Sequence, residues 1–425
     1  MDTGTTAFML CCIIGLSLMI PGLALFYGGM VSVKSSTNMM MMTFGACAIV
    51  GVLWVLFGFS MTFGTSYGGF LGSITEFAGM RDLLESNTTI NGLPVSLFAL
   101  FQALFAAITV ALISGAAADR MKFGAWMAFV TVWTVLVYFP VAHWVFAFDG
   151  VVTKDATGGW IANKLHAIDF AGGTAVHINA GAAALALAIV LGKSALWGQS
   201  RKPHNVPLTL LGAGLLWAGW YAFNGGSALA AGNSAAIVMV TTFVATCAAT
   251  LAWLLVEKVK DGHVTGVGAA SGAVTGLVAI TPSCGAVTPV GAIFVGAIAG
   301  AICVLAVGLK ARFGYDDSLD VVGVHLVGGL IGTLLIGLFA SRTMPNGVDG
   351  LFYGGGFDQL WRQAVAALVV MTYSFVAAWV IAFAFRKTMG IRISTDDEAM
   401  GIDVSFHRDA AYELQPSQPS VGTAS

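Results

Sequence analysis

Two histidines sit in stretches of this chain that are otherwise fit for the interior of a bilayer, each with an aspartate close by. In DFAGGTAVHINAG (169–181), Asp169 precedes His177 by eight positions, and the apolar chain runs on to Leu191. In DVVGVHLVGGLIG (320–332), Asp320 precedes His325 by five positions. Ionisable groups are costly in lipid and by default mark an ion or substrate path. Imidazole donates from one nitrogen, accepts at the other and titrates in the physiological range, so a pair can pass a small polar molecule or relay a proton. The plainer role for either histidine alone is a hydrogen bond between helices; their matched placement weighs against it. Asp169 has a second role as a cap on free backbone N–H groups at a helix start, and that is the larger part of its expected work. A metal site wants three or four ligands, and no HExxH, CxxC or carboxylate cluster accompanies the histidines.

The elements that must position these groups follow from composition. Of 425 residues, 57% are hydrophobic and only 9% charged, with mean hydropathy +0.86. Soluble domains carry about a quarter charged residues, so the chain is an all-α integral membrane protein. A net charge of −2 leaves no basic face for a nucleic acid. The six cysteines show no pairing or metal spacing and act as small hydrophobes. The 54 glycines imply close helix packing. No basic residue precedes Lys34, so the first apolar run reads as a retained span rather than a cleaved leader.

Segments of about 20 apolar residues give eleven expected spans: 6–30, 38–63, 94–118, 123–147, 169–192, 206–230, 234–257, 264–281, 289–311, 320–341 and 359–386. The eighth is short and glycine-rich. With the N-terminus outside, 14 of the lysines and arginines fall on the inner side and 5 on the outer, which places the C-terminus in the cytoplasm. Residues 1–387 form the membrane domain and 388–425 a cytoplasmic tail, its last ten residues expected to be disordered. An Asn87-Thr88-Thr89 sequon falls in an outer loop. Spans 1–5 and 6–10 would run in opposite directions, an inverted repeat of two five-helix halves plus one extra helix. ALFYGG (24–29) echoes YAFNGG (221–226), and TAVHINAG (174–181) echoes VGVHLVGG (322–329), each at corresponding spans. His177 and His325 would then meet near the midplane, where such folds place their sites. In the tail, Ile402, Val404 and Phe406 among mixed charges suggest docking onto inner loops of the same or a neighbouring subunit; a solvated tail is the bland alternative.

These residues also carry a resemblance. DFAGGTAVHINAG resembles the signature of the ammonium transporter family (Amt/Mep/Rh). PGLALFYGGMV (21–31), FQALFAAITVALISGAAADR (101–120), YFPVAHWVF (138–146), KPHNVPL (202–208), GWYAFNGGSA (219–228), TPSCG (281–285) and GIDVSFHRDAAYEL (401–414) resemble further family motifs in family order. The resemblance implies eleven helices per subunit and a homotrimer in the plasma membrane with a pore through each subunit. It implies ammonium or ammonia as cargo, methylammonium as an analogue, and no cofactor. His177 and His325 would be the twin pore histidines, Phe105 and Phe223 the stacked rings closing the outer vestibule, Ser227 part of the recruitment site, and Trp220 a pore wall. One position departs: Phe146 stands where bacterial members carry tryptophan, and phenylalanine is the weaker cation–π partner. Trp144, two residues earlier, points about 200° away on a helix. A trimeric PII-type nitrogen regulator would dock on the cytoplasmic face. A dedicated sensor of the same fold would differ in its tail, and no signalling domain follows DAAYEL (409–414).

Overall fold

Apolar stretches of this length leave the backbone one way to satisfy its polar groups in lipid, which is to coil into helices. The computed structural model describes residues 1–84, 89–90, 92–195, 197–198 and 202–412. The sequon at Asn87 and the expected disorder of the last ten residues lie outside the described residues. The first half contributes α1 (Thr3–Met30), α2 (Val33–Phe63), α3 (Val95–Ala117), α4 (Phe123–Phe146) and α5 (Gly173–Leu191). The second contributes α6 (Val206–Gly226), α7 (Asn233–Asp261), α8 (Gly266–Ile280), α9 (Pro289–Phe313) and α10 (Val322–Phe339), and α11 (Asp358–Thr388) follows. Ten of these are long and apolar enough to cross a membrane.

The exception is α8, the eighth expected span. Its 15 residues extend about 22 Å, short of the roughly 30 Å of a hydrocarbon core. A buried turn, 281–287, completes its path. Irregular backbone is tolerated at such depth only where protein surrounds it. Here Phe170 N–H donates to Pro282 O (3.1 Å), and Ser341 N–H donates to Ala286 O (2.9 Å).

The two halves meet along α1 and α6 through glycines seven residues apart, Gly15, Gly22 and Gly29 on one and Gly212, Gly219 and Gly226 on the other. A Cβ on Gly212 would sit 2.2 Å from the backbone nitrogen of Phe26, so the helices pack backbone to backbone. Both histidine helices open on a π-helical turn, Gly173–Ile178 in α5 and Val322–Leu326 in α10. Each histidine is the penultimate residue of its turn. Wide turns of this kind re-aim side chains that a regular helix would direct elsewhere.

The tail docks on the end of the bundle that carries most of the basic residues. Lys122 N–H donates to Ile391 O (2.9 Å) and Ile393 N–H to Arg120 O (3.0 Å). The Asp403 carboxylate accepts from the N–H groups of Thr37 (2.9 Å) and Asn38 (2.8 Å), near the start of α2. Of the three tail hydrophobes, Ile402 is buried within this chain, whereas Val404 and Phe406 are 54% and 42% exposed on it. Ile391 and Ile393 take their place beneath the tail.

Candidate functional site

Asp169 precedes α5 by four residues, and its carboxylate turns back onto the helix start. It accepts from the N–H groups of Gly172 (2.7 Å), Gly173 (2.6 Å), Thr174 (2.8 Å) and Ala175 (3.2 Å), and from the Thr174 hydroxyl. A helix start leaves four N–H groups without helical partners, and this one side chain serves that whole set. Its charge favours the positive end of the helix dipole.

Within that opening turn, His177 meets His325. Their Nδ1 atoms are 3.2 Å apart and share a hydrogen bond, with ring planes inclined at 20°. Such a bond needs one donor and one acceptor, so the two rings hold opposite tautomers and one bare and one protonated Nε2 result. The contact depends on glycine. Gly181 and Gly329 each lie four residues after a histidine. A Cβ on Gly181 would be 2.5 Å from the Leu326 nitrogen, and one on Gly329 would be 3.1 Å from His177 Cβ. The helices thus cross where neither has a side chain.

The paired rings line a slot with ≈ 10 Å³ of open volume, about what one water-sized molecule needs. Leu23, Phe26, Ile108, Leu112 and Val274 supply apolar walls. Trp220 stacks on His177 (centroids 5.4 Å apart, 16°), and its N–H donates to Thr281 Oγ1 at 2.8 Å. His177 Nε2 is buried without a hydrogen-bond partner.

Phe105 and Phe223 close one end of the slot, stacked at 4.0 Å and 20°. Beyond them lies a cavity of ≈ 410 Å³, lined among others by Phe105, Phe146, Ser227, Gln102 and His166. Ser227 donates its proton to Phe223 O (2.8 Å), which leaves the hydroxyl lone pairs as acceptors. Phe146 stands edge-on to Phe105 at 6.1 Å. Trp144 is turned away, packed on Tyr373 at 4.9 Å with its N–H bonded to Phe70 O (2.7 Å). His143, one residue earlier, is also buried, and both its ring nitrogens are occupied, by Thr62 O (2.7 Å) and Ser66 Oγ (2.7 Å). It is a packing histidine. Sequence reasoning missed Gln102 and His166; the signal for Gln102 was a lone amide in an otherwise apolar stretch of α3.

At the other end of the bundle a cavity of ≈ 1220 Å³ opens among Asp119, Lys202, His204, Lys310 and Asp320. The carboxylate matching Asp169 is here Asp317, eight residues before His325. It accepts from Val322 N–H at 2.7 Å, five residues on, as Asp169 does from Thr174. Asp320, the partner read from the sequence, instead pairs with Lys310 at 2.5 Å. Burial, and then the charge of Asp320, push the Asp317 carboxyl up to about 6 against the pull of Lys310 and backbone N–H groups.

Comparisons with known proteins agree with this architecture. The model of the Ammonium Transporter Family matches residues 7–412. An ammonium transporter of Mycobacterium bovis is 53% identical over 99% of this chain and 92% of that protein. One of Bacillus subtilis is 43% identical over 97% of this chain and 99% of its own length. The crystal structure of Saccharomyces cerevisiae Mep2 superposes with a TM-score of 0.84 at 32% identity, covering 93% of this chain and 88% of that one. A sensor Amt protein gives 0.86 at 28% identity, covering 95% and 98%.

Proposed function

Because the chain belongs to the ammonium transporter family, we propose that it carries ammonium inward across the plasma membrane and passes ammonia through the twin-histidine slot. In this reading the N-terminus is outside, and the 410 Å³ cavity is the outer vestibule. Ammonium is a small cation with four N–H donors. The Phe105 and Phe146 rings attract it weakly through cation–π contact, and Ser227 accepts one of its protons. The slot offers too few oxygens to replace the hydration shell of potassium. Ammonia needs only one donor and one acceptor in passing, and opposite imidazole tautomers supply both. Asp169 enters this scheme as the cap that holds the His177 turn in place. The eighth helix with its buried turn would complete an eleven-helix subunit, assembled as a homotrimer. The docked tail, with Val404 and Phe406 exposed, would offer part of a surface for a PII-type regulator.

The observation that carries the reading is the pair of buried imidazoles bonded to each other within an otherwise apolar slot. Flux of ammonium or methylammonium into liposomes holding the purified chain tests it. His177→Ala and His325→Ala should each remove selectivity or conduction while leaving a folded protein. Absence of ammonium-specific flux in the unaltered chain would refute the transport reading. Wild-type flux and ion discrimination in both folded variants would refute the slot as the path.

A further inference from the structure

Two polar side chains that line the ≈ 410 Å³ cavity, Gln102 and His166, have no hydrogen-bond partner among the described residues. Gln102 is only 8% exposed. A buried amide without partners is costly, and in a finished fold it calls for a ligand or water. It stands three residues before Phe105 on α3 and so shares a helix face with that ring.

His166 takes φ 54° and ψ 36°, a left-handed backbone that glycine adopts freely and histidine does not. Three side chains at the start of α11 hold it there. Arg362 Nη1–H donates to Leu165 O (2.8 Å) and Gln359 Nε2–H to His166 O (3.4 Å). Gln363 brackets Ile168, accepting from its N–H (2.6 Å) and donating to its carbonyl (2.7 Å). Gln359 and Gln363 are themselves buried and bonded to each other (2.9 Å). All of these bonds fix the backbone of 165–168, and the His166 side chain stays exposed. Residues kept in such a conformation gather at binding sites, and a ring kept for packing would be buried.

On the reading of this cavity as the entrance for ammonium, we propose that His166 is a further recognition residue there. Its neutral imidazole, and with it the Gln102 carbonyl, accepts N–H groups of the cation in addition to Ser227. Phenylalanine at 146 leaves the aromatic attraction weak, and acceptors are the other means of holding a cation that donates. The two means select differently. A π face holds methylammonium as readily as ammonium, whereas a set of acceptors loses a bond when one donor becomes a methyl group.

The purified full chain offers two readouts: binding, measured as thermal stabilisation by ammonium chloride over potassium chloride, and flux of ammonium or methylammonium into liposomes. His166→Gly removes the ring and keeps the left-handed backbone. It should raise the half-maximal ammonium concentration about two- to tenfold in both readouts, the scale of one hydrogen bond. Maximal flux and the unfolding temperature without ligand should be retained. Methylammonium should lose less, so the preference for ammonium narrows. His166→Asn, which tolerates the same backbone and keeps an acceptor, should recover part of the loss. Gln102→Leu should weaken ammonium binding without lowering the unfolding temperature, because it replaces an unpaired buried amide with an apolar group of similar size. The proposal is overturned if His166→Gly binds and discriminates as the unaltered chain does. It is equally overturned if that variant loses unfolding temperature and maximal flux with affinity and preference unchanged, which would make His166 a structural residue of its loop. No preference for ammonium over potassium in the unaltered chain overturns it as well. Weakened binding in the variants of a chain that carries no flux would remove the transport reading and leave the recognition site standing.

Discussion

A cavity lies toward each end of the histidine slot, and the aspartate eight residues before each histidine is held differently on the two sides. Asp169 takes four backbone N–H groups and one hydroxyl, and the mouth beside it is roofed by stacked phenylalanines. Asp317 takes the Val322 N–H, keeps Oδ1 buried without a hydrogen-bond partner, and borders the Lys310–Asp320 pair beside an open cavity. Equal spacing from equivalent histidines has thus produced one finished helix cap and one that is strained electrostatically. The repeat preserves the geometry that aims an imidazole; the charge around it is free to differ between the two sides.

Deleting the two carboxylates should separate them most. Asp169→Ala orphans the whole first turn of α5, and buried donors without partners are expensive. We expect a loss on the order of 4 kcal/mol, read as a large fall in the unfolding temperature of the solubilised protein, with loss of flux. Asp317→Ala gives up one backbone bond and relieves a buried charge, so its loss should be far smaller. Equal losses would mean that the two aspartates do the same work and would break the comparison.

The glycine crossings should differ in the same sense. Gly181→Ala drives a methyl into the Leu326 backbone, which cannot move alone, and overpacking of this kind costs about 1–3 kcal/mol. It should also part the imidazoles and reduce flux. At Gly329 the nearest atoms are His177 Cβ and Ile178 Cγ1 at 3.1 Å and Gly173 O at 3.2 Å, looser than the 2.5 Å at Gly181, so Gly329→Ala should cost less and conduct better. Flux and unfolding temperature measured on the pair decide this; a reversed order would place the tight side of the crossing on α10.

Asp317 should show a pH signature. Its carboxyl stands near 6 in the folded chain against an ordinary value of 3.8. Between those values the folded chain holds a proton that the unfolded chain lacks, so this group favours folding increasingly as pH falls from 7 to 4. Above about 6 the buried charge is a penalty, of about 3 kcal/mol by linkage at most. Asp317→Asn should therefore gain stability relative to the unaltered chain as pH rises from 4 to 7, and level off beyond. Unfolding temperatures across that range that run parallel in the two proteins would remove the asymmetry argued for Asp317.

Much of this arrangement is legible in the sequence because it rests on spacing. Helix lengths follow from apolar runs, and the two histidines stand out as ionisable groups in lipid. The His-x-x-x-Gly echo that crosses the helices is visible in HINAG and HLVGG. The pairing of Asp169 was harder to read. Asp320 begins the apolar run and drew attention, yet Asp317 has the matching separation, and only the backbone path says which carboxylate reaches a helix start. The π-helical turns carry no residue signature. Nor does the capping of α2 by Asp403, which joins groups more than 360 positions apart. Spacing in the tail does not say which side faces the bundle: Ile402 turns in, Val404 and Phe406 out.

The smallest effect expected lies at the roofed mouth and would sharpen its difference from the open one. Phe146 is edge-on to Phe105 at the floor of the ≈ 410 Å³ cavity, and Trp144 is committed elsewhere by its bond to Phe70 O. No tryptophan ring lines that cavity among the described residues. A tryptophan at 146 would present a stronger π face to an incoming cation, worth about 0.5–1 kcal/mol at a partly solvated site. Phe146→Trp should therefore lower the ammonium concentration for half-maximal transport by about two- to fivefold, with little change in maximal flux, because the slot beneath is untouched. A change in maximal flux with the concentration dependence fixed would place residue 146 in the path itself rather than at its mouth. No change in either would mean that the ring does not face the cation, and the aromatic mouth would then recruit through Phe105 and Ser227.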